Sequence, residues 1–407
     1  MNDLVLRGVR VGDRLVDLSC VGGRVAALDD PGAGPAAAVD VALDGWLVLG
    51  APVEPHAHLD KVFTADTVAN PAGDLDGAIA AWAGTHGDRS VDEIAARAER
   101  ALRRMVRAGF TAVRTHVDCG PGVDLRAVDA LVGLRERYAP VIDVQVGALV
   151  LPPTVGEGSG AVLARLDEAI ARGIDVVGGA PFVETDVRAS TAVLLARAAD
   201  AGLPVDFHTD ETLDPEATGL AVLAELAVGF PGRVTASHCC ALGMTDPGRQ
   251  AEIAGAVAAA GVGVVALPLT NLFLLSRDRP TAPPRGLTAI GALESAGVAL
   301  CAGGDNVQDP FNAMGRADAF ETAALTVMAG HVEVTRAWGM VTDAARVVLG
   351  LAPAGPQVGA IADLLVVPAN GLRAAVADAP SDRVVVRHGT IVARTETTVA
   401  AHPLIGD

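Results

Sequence analysis

The sequence predicts an α/β chain built as a (β/α)8 TIM barrel, with a small β-sandwich domain formed by its two ends. Three observations carry this. Between residues 47 and 305 short β-branched runs alternate with Ala/Leu/Arg-rich helical stretches, the signature of βα units around a parallel sheet. The runs number eight, at 46–58, 111–118, 141–150, 174–182, 204–211, 234–239, 261–269 and 298–305. The segments outside them read instead as short alternating strands with Gly or Asp turns, the pattern of a small antiparallel sheet.

Each element follows from local chemistry. Helical stretches at 91–108, 161–172, 190–201, 216–228, 249–260 and 288–296 separate the strands. Several end in Ala-Gly or Arg-Gly, at Gly109, Gly173, Gly202, Gly261 and Gly297, where a left-handed cap turns the chain back into the sheet. Eight strands that each return through a helix close into a barrel. Residues 1–46 and 356–407 are each too short for a core of their own and are expected to share one domain, with 47–355 as the barrel.

Composition narrows the function. With 49 acidic and 31 basic residues the net charge is −18, which argues against a nucleic-acid or anionic-membrane partner but not against a small heterocycle. Neither a signal-peptide pattern nor an apolar run of about 18 residues is found, so the chain reads as soluble and cytoplasmic. Homo-oligomerisation is left open. Five cysteines without a CxxC pair suggest buried thiols, and Cys239 and Cys240 are read as packing residues.

Chemistry concentrates at the strand ends. In Glu54-Pro-His-Ala-His-Leu-Asp60, His56 and His58 project to the same side of a strand, about 7 Å apart along the backbone, and can chelate one metal. His116, His208 and His238 also fall at strand ends, over what is expected to be an apolar layer of barrel interior. The C-terminal face is where barrel active sites form. Asp305, closing strand eight, completes with His56, His58 and His208 a site for one Zn(II) or Fe(II) with a position open to water. A divalent cation lowers the pKa of such a water towards neutrality. Asp305 is also placed to take that water's proton. Glu211, three residues beyond His208, is read as a proton shuttle, with a helix cap as the alternative. His238 is read as holding the water or polarising the substrate, with a structural histidine as the alternative.

These residues resemble the amidohydrolase superfamily, and within it the bacterial cytosine deaminase group, over nearly the whole chain. The matching segments are 53–60, 113–118, 142–145, 175–181, 205–211, 234–238, 266–271 and 303–311. The resemblance implies metal ligands at His56, His58, His208 and Asp305, a proton-transferring Glu211 and an active-site His238. It implies attack of metal-activated hydroxide on an amidine-type ring carbon with release of ammonia. Strand four ends in Gly-Gly-Ala-Pro-Phe, without a lysine to bridge two metals. Departures fall on substrate-reading positions. Leu151 or Pro153 stands where the group carries a glutamine, Asn306 replaces an aspartate, and Phe311 replaces a tryptophan, so the hydrogen-bond pattern wanted from a ligand differs from cytosine's. His58-Leu59-Asp60-Lys61 and Asp305-Asn306 also resemble a branch that removes alkylamines from triazines. Lys61 either faces a carbonyl-rich or anionic substrate or points outward into solvent. Hydrolysis of a cyclic amide or N-substituted amino-heterocycle, and a non-catalytic scaffold, are the competing expectations.

Overall fold

The computed structural model describes residues 2–85, 87, 89–120 and 122–398, so His86 and His402 lie outside the described residues. The chain divides into two compact units. One contains the described residues up to Ala51, Val106–Phe110 and those from Pro353 onward; the other contains Pro52–Met105 and Thr111–Ala352.

In the first unit, β1 (Asn2–Val11), β2 (Arg14–Val21), β3 (Arg24–Asp29), β4 (Ala37–Ala42) and β5 (Leu47–Gly50) come from the N-terminal segment. The second unit supplies β6 (Val53–Ala57), β7 (Ala112–Cys119), β8 (Asp143–Val150), β9 (Val176–Gly179), β10 (Val205–Thr209), β11 (Val234–His238), β12 (Gly263–Ala266) and β13 (Leu300–Ala302). The C-terminal segment returns β14 (Leu364–Val367), β15 (Arg383–Arg387) and β16 (Thr390–Thr395) to the first unit.

The terminal segments form a single sheet in the order β16-β15-β14-β5-β1-β2-β3, with β4 also on β1. The expected antiparallel pattern needs correction at β1, which pairs antiparallel with β2 but parallel with β4 and β5. The switch of partner occurs where the register of β1 slips between Leu6 and Val9. Gly8 sits there at φ 63°, and a Cβ would come within 2.2 Å of Asp44 Oδ1, so both backbone and space require glycine. Leu4, Leu18, Leu364, Val366 and Val384 pack this unit's core.

The barrel sheet runs β13-β12-β11-β10-β9-β8-β7-β6, and each neighbouring pair is parallel. Strands buried on both faces favour continuous apolar runs, which β9, β12 and β13 show, while β7 and β11 bury polar side chains as well. The ring is closed by a parallel bridge between Ala57 and Asp305, where the Asp305 amide donates to the His56 carbonyl at 3.1 Å. The glycines expected to cap helices all take left-handed φ, from 66° at Gly202 to 111° at Gly109.

Two expectations about the barrel are corrected. The single strand expected over 46–58 is two strands in two sheets. Its first half, β5, pairs with β14 and its second half, β6, with β7. Pro52 lies between them and has no N–H to continue a ladder. The layer beneath the histidines is not apolar either. Arg114 Nη1 donates to Asp206 Oδ2 at 2.8 Å, and Arg114 Nε and Nη2 donate to Gln145 Oε1 at 3.0 and 2.8 Å. Arg114 and Asp206 are both fully buried, so the ion pair is retained through saturated hydrogen bonding.

Strand β9 makes room for this interior with glycines. A Cβ on Gly178 would stand 2.8 Å from the Ala148 carbonyl oxygen and 3.0 Å from His116 Nδ1. Gly178→Ala is expected to destabilise the protein by about 1–3 kcal/mol through overpacking. The check is the denaturation midpoint; an unchanged midpoint means that the barrel wall yields freely.

Candidate active site

The site is assembled from the C-terminal ends of four strands. β6 delivers His56 and His58, β10 delivers His208, β11 ends in His238, and Asp305 follows β13. All five side chains are at least nine-tenths buried. The chain leaves its strands sharply: Asp210, His238 and Asp305 adopt φ of 47°, 71° and 63°. Left-handed backbone at non-glycine residues is strained and gathers where a side chain must be aimed. His238 and Asp305 are thereby turned towards one cavity.

Nε2 of His208 lies 3.2 Å from Nε2 of both His56 and His58. Asp305 Oδ1 is 3.4 Å from His58 Nε2 and 3.9 Å from His56 Nε2. Two ligands on one tetrahedral zinc at bonds of about 2.1 Å stand roughly 3.4 Å apart, close to these separations, and His56, His58 and His208 form one cluster that could hold a metal ion. Their electronic state fits as well. Burial first, and neighbouring cationic groups second, hold His56, His58 and His208 well below the usual histidine range, leaving neutral imidazoles. Burial, then the carboxylates of Glu211, Asp309 and Glu54, push Asp305 well above the usual carboxylate range. Neither of its oxygens has a hydrogen-bond partner among the described residues. A buried acceptor left in this way is a position for a cation.

The first imidazole is held from behind. His56 Nδ1 is 3.0 Å from Ser237 Oγ, which donates to Asp206 Oδ1 at 2.7 Å. Burial alone would raise the Asp206 carboxyl, but His116 and Arg114 outweigh it and bring it to about 2. An acceptor of that kind directs Nδ1–H to Ser237 and frees the Nε2 lone pair for a metal. His116 ends on the same carboxylate, with Nε2 3.5 Å from Asp206 Oδ2. Sequence reasoning missed Ser237, Asp206 and Arg114, although Asp206 sits two residues before His208 and so shares its strand face.

Glu211 is buried among few partners, and burial pushes its carboxyl up to about 8. Asn271 Nδ2 donates to Glu211 Oε1 at 3.2 Å and stands 3.0 Å from His238 Nδ1, with Glu211 Oε1 3.3 Å from that same nitrogen. His238 is driven down to about 3, by burial above all, and its Nε2 has no partner among the described residues. The helix-capping role weighed for Glu211 belongs to Asp210, which accepts from the amides of Gly219 and Leu220 at 3.0 and 2.8 Å. Asn271 is a further residue the sequence reading did not single out.

Lys61 is not solvated. It is 3% exposed, and its ammonium donates to Asp118 at 2.6 Å and Asp60 at 3.2 Å while lying 3.5 Å from His58 Nδ1. Trp82 Nε1 donates to the other oxygen of Asp118 at 2.7 Å. A cavity of about 790 Å³ opens over the site, lined by His58, His208, Glu211, His238 and Asp305, and by Leu151, Asn306 and Phe311. Pro152 lines it as well, whereas Pro153 is not among the lining residues. Asn306 Nδ2 is already engaged with Asp309 Oδ2 at 2.9 Å. Cys239 and Cys240 are fully buried, with thiols pushed up by desolvation.

The fold and donor set define a (β/α)8 barrel whose strand ends carry a histidine–aspartate cluster suited to a divalent metal. The chain belongs to the amidohydrolase family, whose model matches residues 88–393. A pterin deaminase from Rhizobium rhizogenes is 32% identical over 347 residues, covering 84% of this chain and 79% of its own. The N-isopropylammelide isopropyl amidohydrolase of Pseudomonas sp. (strain ADP) is 25% identical over 414 residues, covering 98% of this chain and 99% of its own. The solved structure of 5-methylcytosine deaminase from Klebsiella pneumoniae with phosphonocytosine bound matches with a TM-score of 0.89 at 28% identity, covering 98% of this chain and 100% of the other. No helix among the described residues is long and apolar enough to cross a membrane.

Two outcomes follow from these contacts. Ser237→Ala is expected to weaken metal affinity about 10–100-fold, read by competition with a chelator, because His56 loses its orienting partner; unchanged affinity removes that role. Lys61→Met removes the ammonium that lies between the buried carboxylates of Asp60 and Asp118 and is expected to cost about 3–5 kcal/mol in denaturant unfolding. A loss below about 1 kcal/mol means that the two carboxylates are solvated.

Proposed function

We propose that the chain is a metal-dependent aminohydrolase that releases ammonia from an amino-substituted nitrogen heterocycle, with a bicyclic pterin-type ring favoured over cytosine. The observation that carries the reading is the buried Glu211–Asn271–His238 cluster facing the open side of the histidine–aspartate cluster in one cavity. His56, His58, His208 and Asp305 hold one Zn(II) or Fe(II), which supplies the Lewis acidity that makes water nucleophilic near neutral pH.

The protein's own groups do the rest. Burial pushes Glu211 up to about 8, so it holds its proton at neutral pH and can give it to a ring nitrogen as water adds to the adjacent carbon. The carboxylate left behind takes the water's proton and passes it to the departing amine, so the C–N bond breaks with loss of ammonia. Asn271 fixes the orientation of Glu211, and the neutral His238 offers an unengaged Nε2 4.0 Å from Asp305 Oδ2. Asp305 is placed to accept a proton from the same water.

Two observations support a larger ring than cytosine. The cavity falls in the range of about 300–1,000 Å³ that buries drug-sized ligands, more than one six-membered ring requires. Leu151 and Pro152 offer a flat ring apolar contact in place of an amide hydrogen bond. The pterin deaminase relative at 32% identity supports the same choice. A second reading, release of an alkylamine, is favoured by the apolar side chains of Leu75, Ile79 and Phe182 in the lining. A scaffold without activity leaves the complete donor set and Glu211 without a role.

Metal-loaded protein supplied with pterin, cytosine and N-isopropylammelide distinguishes these. The expected result is ammonia from pterin, with kcat/KM at least about tenfold above that for cytosine. Isopropylamine without ammonia overturns the aminohydrolase reading. Glu211→Gln is expected to retain metal while turnover falls about 10²–10⁴-fold; near-normal turnover ends the shuttle assignment.

A further inference from the structure

The cavity does not stop at the ring-sized space above the histidines. It continues into an outer hollow of about 410 Å³ that shares Leu75, Asp76, Ile79, Phe182 and Val183 with it. Leu75 and Ile79 belong to the helix Leu75–Ala83, and Phe182 and Val183 to the turn Pro181–Val183. Ile79 and Val183 remain 44% and 45% exposed although they line this passage, so two large apolar side chains stand open along it. Glu211 lines both spaces and marks where the reacting end of a ligand meets the outer part.

The outer hollow is also of one sign. Asp76, Asp214 and Glu216 line it, all three are exposed, and none forms an ion pair among the described residues. Asp210 lines it too, but its carboxylate is engaged by the amides of Gly219 and Leu220. Asp214 Oδ1 accepts from the Glu216 amide at 3.0 Å. No lysine or arginine lines the hollow. Lys61 lines the inner cavity, and its charge is answered by Asp60 and Asp118.

We propose that the outer hollow is a side-chain subsite, which takes an apolar substituent on the substrate ring when that substituent is neutral or cationic and rejects one ending in a carboxylate. The inference rests on the proposed occupation of the inner cavity by a bicyclic amino-heterocycle. Leu75, Ile79 and Phe182 cover the apolar part of the substituent, which removes their exposed surface from water. Asp76, Asp214 and Glu216 set the charge preference. A ligand carboxylate within about 8 Å of two or three such groups loses about tenfold in affinity at low ionic strength, and salt screens the loss.

The test uses metal-loaded Glu211→Gln protein, so that ligand is not consumed, and calorimetric Kd values for 6-methylpterin, 6-aminomethylpterin and 6-carboxypterin. At about 10 mM salt, 6-carboxypterin is expected to bind at least about tenfold more weakly than 6-methylpterin, and 6-aminomethylpterin at least as tightly as it. The gap is expected to shrink at about 300 mM salt and in the variant carrying Asp214→Asn and Glu216→Gln. Equal affinities at low salt, a gap that persists in the charge-neutral variant, or no binding by any of the three overturns the subsite. Ammonia release from the same pterins by wild-type protein reads the aminohydrolase assignment separately. Ordered affinities without ammonia overturn that assignment alone, and ammonia with equal affinities overturns the subsite alone.

Discussion

Four buried electron-pair donors are brought together at the strand ends of the barrel. His56, His58 and His208 bring three ring nitrogens into one space, and Asp305 adds a carboxylate without hydrogen-bond partners among the described residues. Burying such groups is costly unless a cation is shared among them. Much else in the barrel serves that arrangement. Asp305 also closes the ring, because its amide pairs with the His56 carbonyl, so the same residue completes the sheet and the donor set.

Charge compensation is arranged in tiers around this point. Below the histidines, Arg114 and Asp206 neutralise each other and, through Ser237, set the tautomer of His56. Beside them Lys61 is clamped between Asp60 and Asp118, and Trp82 binds the remaining oxygen of Asp118. Glu54 accepts from the Gly304 amide with both oxygens and tethers the chain just ahead of Asp305. Burial pushes both Glu54 and Glu211 up to about 8, but Glu211 alone of the two lines the cavity, with Asn271 as its side-chain donor. That contrast is what separates a group able to move a proton from groups that hold position.

Much of this was legible in the sequence, for definite reasons. Parallel strands buried on both faces leave apolar runs, and five glycines mark the turns between helix and strand, so the barrel could be read. Histidines two apart in His56-Ala-His58 and others at strand ends marked the donor set. What escaped was of two kinds. Asn271 meets Glu211 across 60 residues of sequence, and no local spacing announces such a contact. Ser237, Asp206 and Arg114 could have been found by strand alternation, had the barrel interior not been expected to be apolar. Pro52 shows the opposite case, a break visible in the sequence but overridden by the length of the apolar run around it. Lys61 was legible as a residue but not as a buried one, because its two counter-charges come from different strand ends.

The central claim is that the seam of the barrel is organised around one divalent ion, and elemental analysis of the purified protein addresses it directly. One equivalent of zinc or iron per chain is expected, lost when Asp305 is replaced by Asn while the fold, read by circular dichroism, persists. Metal-free protein that does not take up a stoichiometric ion on addition of Zn(II) or Fe(II), or protein that retains two equivalents, contradicts it.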